Sequence, residues 1–147
     1  MIALKSIKIK RNMLLGYWII VPVLFYFYLF LVSFNQQATI QQLIIQIPGL
    51  TLALLLSFLT LFQAACLYFI SSRTTLLEKK FLTFSLFQQI LTGNIIGAAL
   101  CYFNNKWLFA DKTQISRNTK FVFYCATGFI GLISIVILLI AIRMKGV

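Results

Sequence analysis

Four apolar runs leave this chain little choice of fold. MLLGYWIIVPVLFYFYLFLVSF (13–34), GLTLALLLSFLTLFQAACLYFI (49–70), LTFSLFQQILTGNIIGAALCYF (82–103) and FVFYCATGFIGLISIVILLIAI (121–142) are too long and too continuous for the core of a soluble domain. Each is long enough for the helix of about 20 residues that crosses a hydrocarbon slab. With 61% of residues hydrophobic and only 10% charged, little sequence is left for a water-facing shell. The runs are continuous and do not alternate, which favours helices over transmembrane strands. The expected fold is an all-α integral membrane protein: one domain over residues 1–147, with four transmembrane helices in a compact bundle.

Basic residues precede the first run, as in a cleavable signal peptide. The run is longer than an h-region of roughly 7–15 residues and no small-x-small site follows it, so it reads as a retained helix. Lys and Arg in the connections then set the orientation. Lys5, Lys8, Lys10 and Arg11 precede the first run, Arg73, Lys79 and Lys80 follow the second, and Arg143 and Lys145 follow the fourth. The connection at 34–48 holds no basic residue, and that at 104–120 holds Lys106, Lys112, Arg117 and Lys120. Four crossings with both termini cytoplasmic therefore place nine basic residues inside and four outside. The basic 104–120 loop is the misfit, and only the loss of one span would remove it.

The neutral connection NQQATIQQLIIQIPG (35–49) has its own pattern. Ile40, Leu43, Ile44 and Ile47 fall at i, i+3, i+4 and i+7, one face of a short interfacial helix before the second span. Pro48 suits the first turn of the helix that follows. Tyr17, Trp18 and Tyr68 are expected near inner ends of spans, and Tyr102, Trp107 and Tyr124 near outer ends. Tyr26 and Tyr28 lie deep in the first run, so their hydroxyls call for partners on another helix. Pro22 cannot donate to the carbonyl of Trp18 and introduces a kink.

The third run carries the most informative residues. On a continuous helix Gln89, Gly93, Gly97 and Cys101 recur every four residues, a stripe containing Gly93-x-x-x-Gly97 that would let another backbone approach. Matching small surfaces are offered by Thr127, Gly131 and Ser134 on the fourth run, and by Ala53, Ser57, Thr60 and Ala64 on the second. Asn94 lies about 12 residues into the run, near the midplane at 1.5 Å per residue, where an amide must be paired. Gln89, Asn94, Gly93 and Gly97 are thus the candidate packing or polar-network residues, with Gln88 and Thr92 beside them.

Catalytic chemistry finds little material. The chain has no histidine, and its two acids, Glu78 and Asp111, are expected on opposite faces of the membrane. Cys66, Cys101 and Cys125 lack redox or zinc spacing and read as small buried hydrophobes. No Gly-rich phosphate loop is present. No enzyme activity, metal or cofactor is expected. The basic residues are divided among four connections and do not form one soluble face, which argues against nucleic acid and for anionic lipid headgroups as the partner.

In size, basicity and number of spans the chain resembles the immunity proteins that protect bacteria against pore-forming bacteriocins. That resemblance implies a bacterial cytoplasmic membrane and action without catalysis. The expected function is accessory or immunity-type, exerted through helix–helix contact with another membrane protein or a second copy. The alternative is a small transporter or flippase component with a polar path along the third helix. Proton coupling through an embedded carboxylate is not available to it, because no charged residue lies inside a span.

Overall fold

The computed structural model of the protein describes residues 2–109 and 114–145, with side chains from residue 7 to residue 144. Among these residues the structure is entirely helical: α1 (Ile2–Gln36), α2 (Ile40–Gln46), α3 (Pro48–Ser71), α4 (Thr75–Leu91), α5 (Ile95–Trp107) and α6 (Arg117–Lys145). Three stretches are long and apolar enough to cross a membrane, Ile7–Gln36 in α1, Pro48–Ser71 in α3 and Arg117–Met144 in α6. The chain therefore has the build of an integral membrane protein.

The third apolar run does not form a single helix. It breaks at Thr92–Asn94, and the reason is local. Gly93 takes a φ of +77°, a left-handed conformation that glycine adopts without a Cβ penalty. The Asn94 N–H then reaches back to the Gln89 carbonyl at 2.8 Å, and the Gly93 N–H to that of Ile90 at 3.1 Å, closing the carbonyl end of α4 in a Schellman turn. Asn94 starts the next helix at once, its side chain accepting the Gly97 N–H at 3.0 Å as an N-cap. Helix stop and helix start are adjacent residues, and the chain reverses.

The reversal makes α4 and α5 a hairpin. The Asn105 amide at the far end of α5 donates to Thr83 on α4 at 2.9 Å. α5 packs on α4 and α1, while α4 also packs on α3 and α6. The hairpin tip is level with the middle of α3. Gln88 and Gln89 meet Gln63, and Thr92–Asn94 line the same cavity as Ser57 and Thr60.

The hairpin base lies where α1 begins. Arg11 approaches Glu78 at 3.6 Å, Asn104 donates to the Lys10 carbonyl at 3.1 Å, and the Lys10 ammonium sits 4.0 Å over the Trp107 ring. Thr119 at the start of α6 shares a pocket with Phe69 and Ile70 at the end of α3, so these ends meet at the same pole. α6 then runs parallel to α4, with Gly131 beside Phe84 and Leu138 beside Leu91. It continues beyond the tip, and its last residue is at the pole opposite its first.

Leu14 and Trp18 of α1, Leu67 of α3, Phe81 of α4, Cys101 of α5 and Ile130 of α6 meet in one buried cluster. Trp18 meets Phe81 edge-on, with ring centroids 6.5 Å apart. In a lipid surrounding such contacts act through close packing, since hydrocarbon tails are as apolar as the side chains. α1 continues through Pro22 without interruption.

At the other pole, α1 ends in a second Schellman turn at Gln37, whose φ is +51°. α2 follows with a capping box, Thr39 accepting from the Gln42 N–H while the Gln42 side chain accepts from the Thr39 N–H. Leu43 is its buried anchor, Ile44 is partly covered, and Ile40 and Ile47 remain exposed. Pro48 occupies the first turn of α3, where its missing N–H leaves nothing unsatisfied.

Candidate functional site

Of the buried polar side chains among the described residues, Ser57, Thr60, Gln63, Gln88 and Gln89 gather around the hairpin tip. Gln63 of α3 donates to the Gln88 carbonyl at 2.7 Å and accepts from the Gln89 amide at 2.8 Å, a chain of three buried amides joining α3 to α4. Tyr17 of α1 donates its hydroxyl to Asn94 Oδ1 at 2.6 Å. One carbonyl oxygen thus fixes the tip to α1 and caps α5. Thr92 donates back to the carbonyls of Gln88 and Gln89 within its own turn.

Gly97 is the point of closest approach. A Cβ there would stand 2.6 Å from Gln89 Oε1 and 2.8 Å from Asn94 Nδ2. Gln89 and Gly97 do face one another, but across the hairpin turn and not along one helix. The expected four-residue stripe through Gln89, Gly93, Gly97 and Cys101 does not exist, because the chain reverses at its second member. Gly93 serves the turn itself, and a Cβ placed there meets nothing within 4 Å. The Gly93-x-x-x-Gly97 element is a turn glycine followed by a packing glycine.

The other small residues are divided between uses. Ser57 and Thr60 donate to carbonyls of their own helix, as Thr127 and Ser134 do on α6. Gly131 receives Phe84. The Tyr26 hydroxyl, expected to find a partner on another helix, has none among the described residues, and its ring packs edge-on against Phe58. Tyr28 is exposed. Of the cysteines Cys101 is buried, Cys66 partly buried, and Cys125 exposed, contrary to the buried role expected for all three.

Between the tip, α1 and α3 lies a cavity of about 270 Å³. Tyr17, Thr60, Gln88, Thr92 and Asn94 give it a polar, uncharged floor, and Val21, Phe25, Ala53 and Leu56 give it apolar walls. Neither Asn94 Nδ2 nor Gln88 Nε2 has a partner among the described residues, and the buried Gln89 carbonyl has none either. At the hairpin base, burial pushes the Glu78 carboxyl above its ordinary range while the Arg11 guanidinium pulls it back. Asp111 lies outside the described residues.

Two members of this site escaped the sequence reading. Tyr17 looked like an interfacial anchor, and Gln63 went unnoticed in FLTLFQAACL. The signal for Gln63 was available: a lone amide inside an apolar span must find a partner at that depth. Comparisons of the chain with protein-family models, with curated proteins and with solved structures found no match.

Proposed function

We propose that this is a small multi-pass membrane protein acting without catalysis, as an accessory or immunity-type subunit that contacts other membrane helices. The observation that carries this reading is how the chain uses its polar and apolar groups. The amides at mid-depth bind mostly one another, making a brace from α1 through the hairpin to α3. The most apolar windows of α1 and α6 are only 17% buried within the chain. These faces meet lipid tails as readily as protein, so the braced frame leaves them open to any helix that packs closely enough to displace lipid.

The arrangement proposed in the membrane is three crossings, α1, α3 and α6, with α4–α5 entering and leaving on one side. Four crossings would need residues 82–103 to straighten through Gly93. Three crossings put the termini on opposite sides, in place of the shared cytoplasmic location that four would give. Lys5, Lys8, Lys10, Arg11, Arg73, Lys79, Lys80, Lys106, Arg117 and Lys120 then share one pole, against Arg143 and Lys145 at the other. Among these twelve residues, which leave out Lys112 because it lies outside the described residues, the ten-to-two division supports a cytoplasmic N-terminus and a bacterial cytoplasmic membrane better than the nine to three of four crossings does. It also supplies a basic collar for anionic headgroups. α2 would lie on the outer surface as the interfacial helix.

Photo-crosslinking in native membranes tests the function. Benzoylphenylalanine at Ile96 or Phe103 on the exposed face of α5, or at Leu132 or Val136 on α6, should give a discrete protein adduct at one of the two faces. Lipid adducts alone at all four positions would overturn the reading. The cavity favours the second reading, a transporter or flippase component. That reading requires a solute flux, in reconstituted vesicles of the full chain, that is lost when the cavity is filled.

A further inference from the structure

We infer that the cavity above the hairpin tip is a binding site for an uncharged lipid alcohol, of the diacylglycerol class. This goes beyond the partner-binding reading and does not depend on it. The argument begins with what the cavity floor leaves open. Asn94 Oδ1 is fully used by Tyr17 and Gly97, while its Nδ2 group has no partner. The three-amide chain likewise leaves an unpartnered NH2 on Gln88, and the hydroxyl oxygens of Tyr17, Thr60 and Thr92, which border the cavity, donate but accept no bond among the described residues, whereas Gln89 Oε1 is buried against Gly97. Open donors and acceptors at membrane mid-depth are costly, and an occupant that both accepts and donates relieves them. A hydroxyl beside ester carbonyls does both.

The lining also excludes the ordinary phospholipids. Among the described residues, no Lys, Arg, Asp or Glu borders the cavity. A phosphate or ammonium brought to the tip would therefore be a buried, unpaired charge. The walls are of the other kind: Val21 and Phe25 on α1 face Ala53 and Leu56 on α3, an apolar passage for acyl chains. Small neutral head and long apolar body are the two halves of a diacylglycerol. Its head lacks the charge that holds other glycerolipids at the surface, so it can sink to the depth of the tip.

The test uses the full chain in phosphatidylcholine nanodiscs containing equal amounts of dioleoylglycerol, its 3-O-methyl ether and dioleoylphosphatidylglycerol. Lipids retained on the protein are counted by native mass spectrometry. The expected result is at least a tenfold preference for dioleoylglycerol over phosphatidylglycerol and a several-fold preference over the methyl ether, which lacks the donor. Ala53→Phe, which fills the cavity from its α3 wall and leaves the hairpin intact, should lower dioleoylglycerol retention about tenfold without changing helix content. The ether comparison needs no variant and stands if Ala53→Phe fails to fold. Equal retention of the three lipids, a preference for phosphatidylglycerol, or a cavity holding water alone would overturn the assignment. So would retention unaffected in a folded Ala53→Phe protein.

Discussion

A methyl group at position 97 would intrude on Gln89 Oε1 and on the Asn94 amide together, so the smallest substitution tests the tip most directly. Gly97→Ala should cost about 1–3 kcal/mol, the range for overpacking a tight site, because relief requires breaking either the amide chain or the α5 cap. Unfolding in mixed micelles would measure it; a cost near zero would mean the hairpin is looser than described. Asn94→Leu loses the bond to Tyr17, worth about 0.6–2 kcal/mol in a membrane protein, together with an N-cap worth roughly 0.5–2 kcal/mol. At the base, Glu78 is 2% exposed and its partner Arg11 21%. Arg11→Ala should cost roughly 2–3 kcal/mol, less than a fully buried pair because the guanidinium keeps some solvent. Adding Glu78→Gln should recover most of that loss. A double variant no better than Arg11→Ala alone would remove the pair from the account of the base.

Among the elements, what hydropathy could read and what it could not are separable. Three runs became single helices whose bounds contain the expected spans. The remaining run, 82–103, is long enough to cross but less apolar, because Gln88, Gln89, Thr92 and Asn94 interrupt it, and its length alone does not distinguish one crossing from two half-length arms. The distinguishing signal was local: Gly93 followed directly by Asn94 is the commonest helix stop beside a preferred helix start. The packing stripe expected of the same residues is divided by the turn between α4 and α5. The capping box Thr39–Gln42 was equally legible and marks where α2 begins, whereas the pairing of Tyr17 with Asn94 depends on a reversal no periodicity encodes. The two Schellman turns give opposed predictions. Gly93→Ala forces a side chain into the left-handed region and should destabilise by about 1–2 kcal/mol. Gln37→Gly relieves that same penalty at the end of α1 and should stabilise by roughly 0.5–1 kcal/mol. Equal effects at the two sites would contradict the turn geometry.

For the whole molecule, the proposed arrangement moves one loop across the membrane. Cysteine labelling on a background lacking Cys66, Cys101 and Cys125 should place position 114 on the same side as position 76, with position 40 opposite. Labelling of 114 together with 40 would restore the four-crossing arrangement. The path of the chain also has a consequence for biosynthesis. Both groups that receive the hairpin's amides, Tyr17 on α1 and Gln63 on α3, precede it in sequence, so a nascent hairpin meets partners already made. α6, which packs on α3 and α4, emerges after the hairpin. A chain stopped after residue 116 should therefore still seat the hairpin tip on α1, detectable as a photo-crosslink from benzoylphenylalanine at Val21 to the α4–α5 segment during translation into membrane vesicles. Removing α1 instead should leave the Gln88–Asn94 turn without its first anchor, and expose it to the quality-control proteases that survey polar groups stranded in lipid.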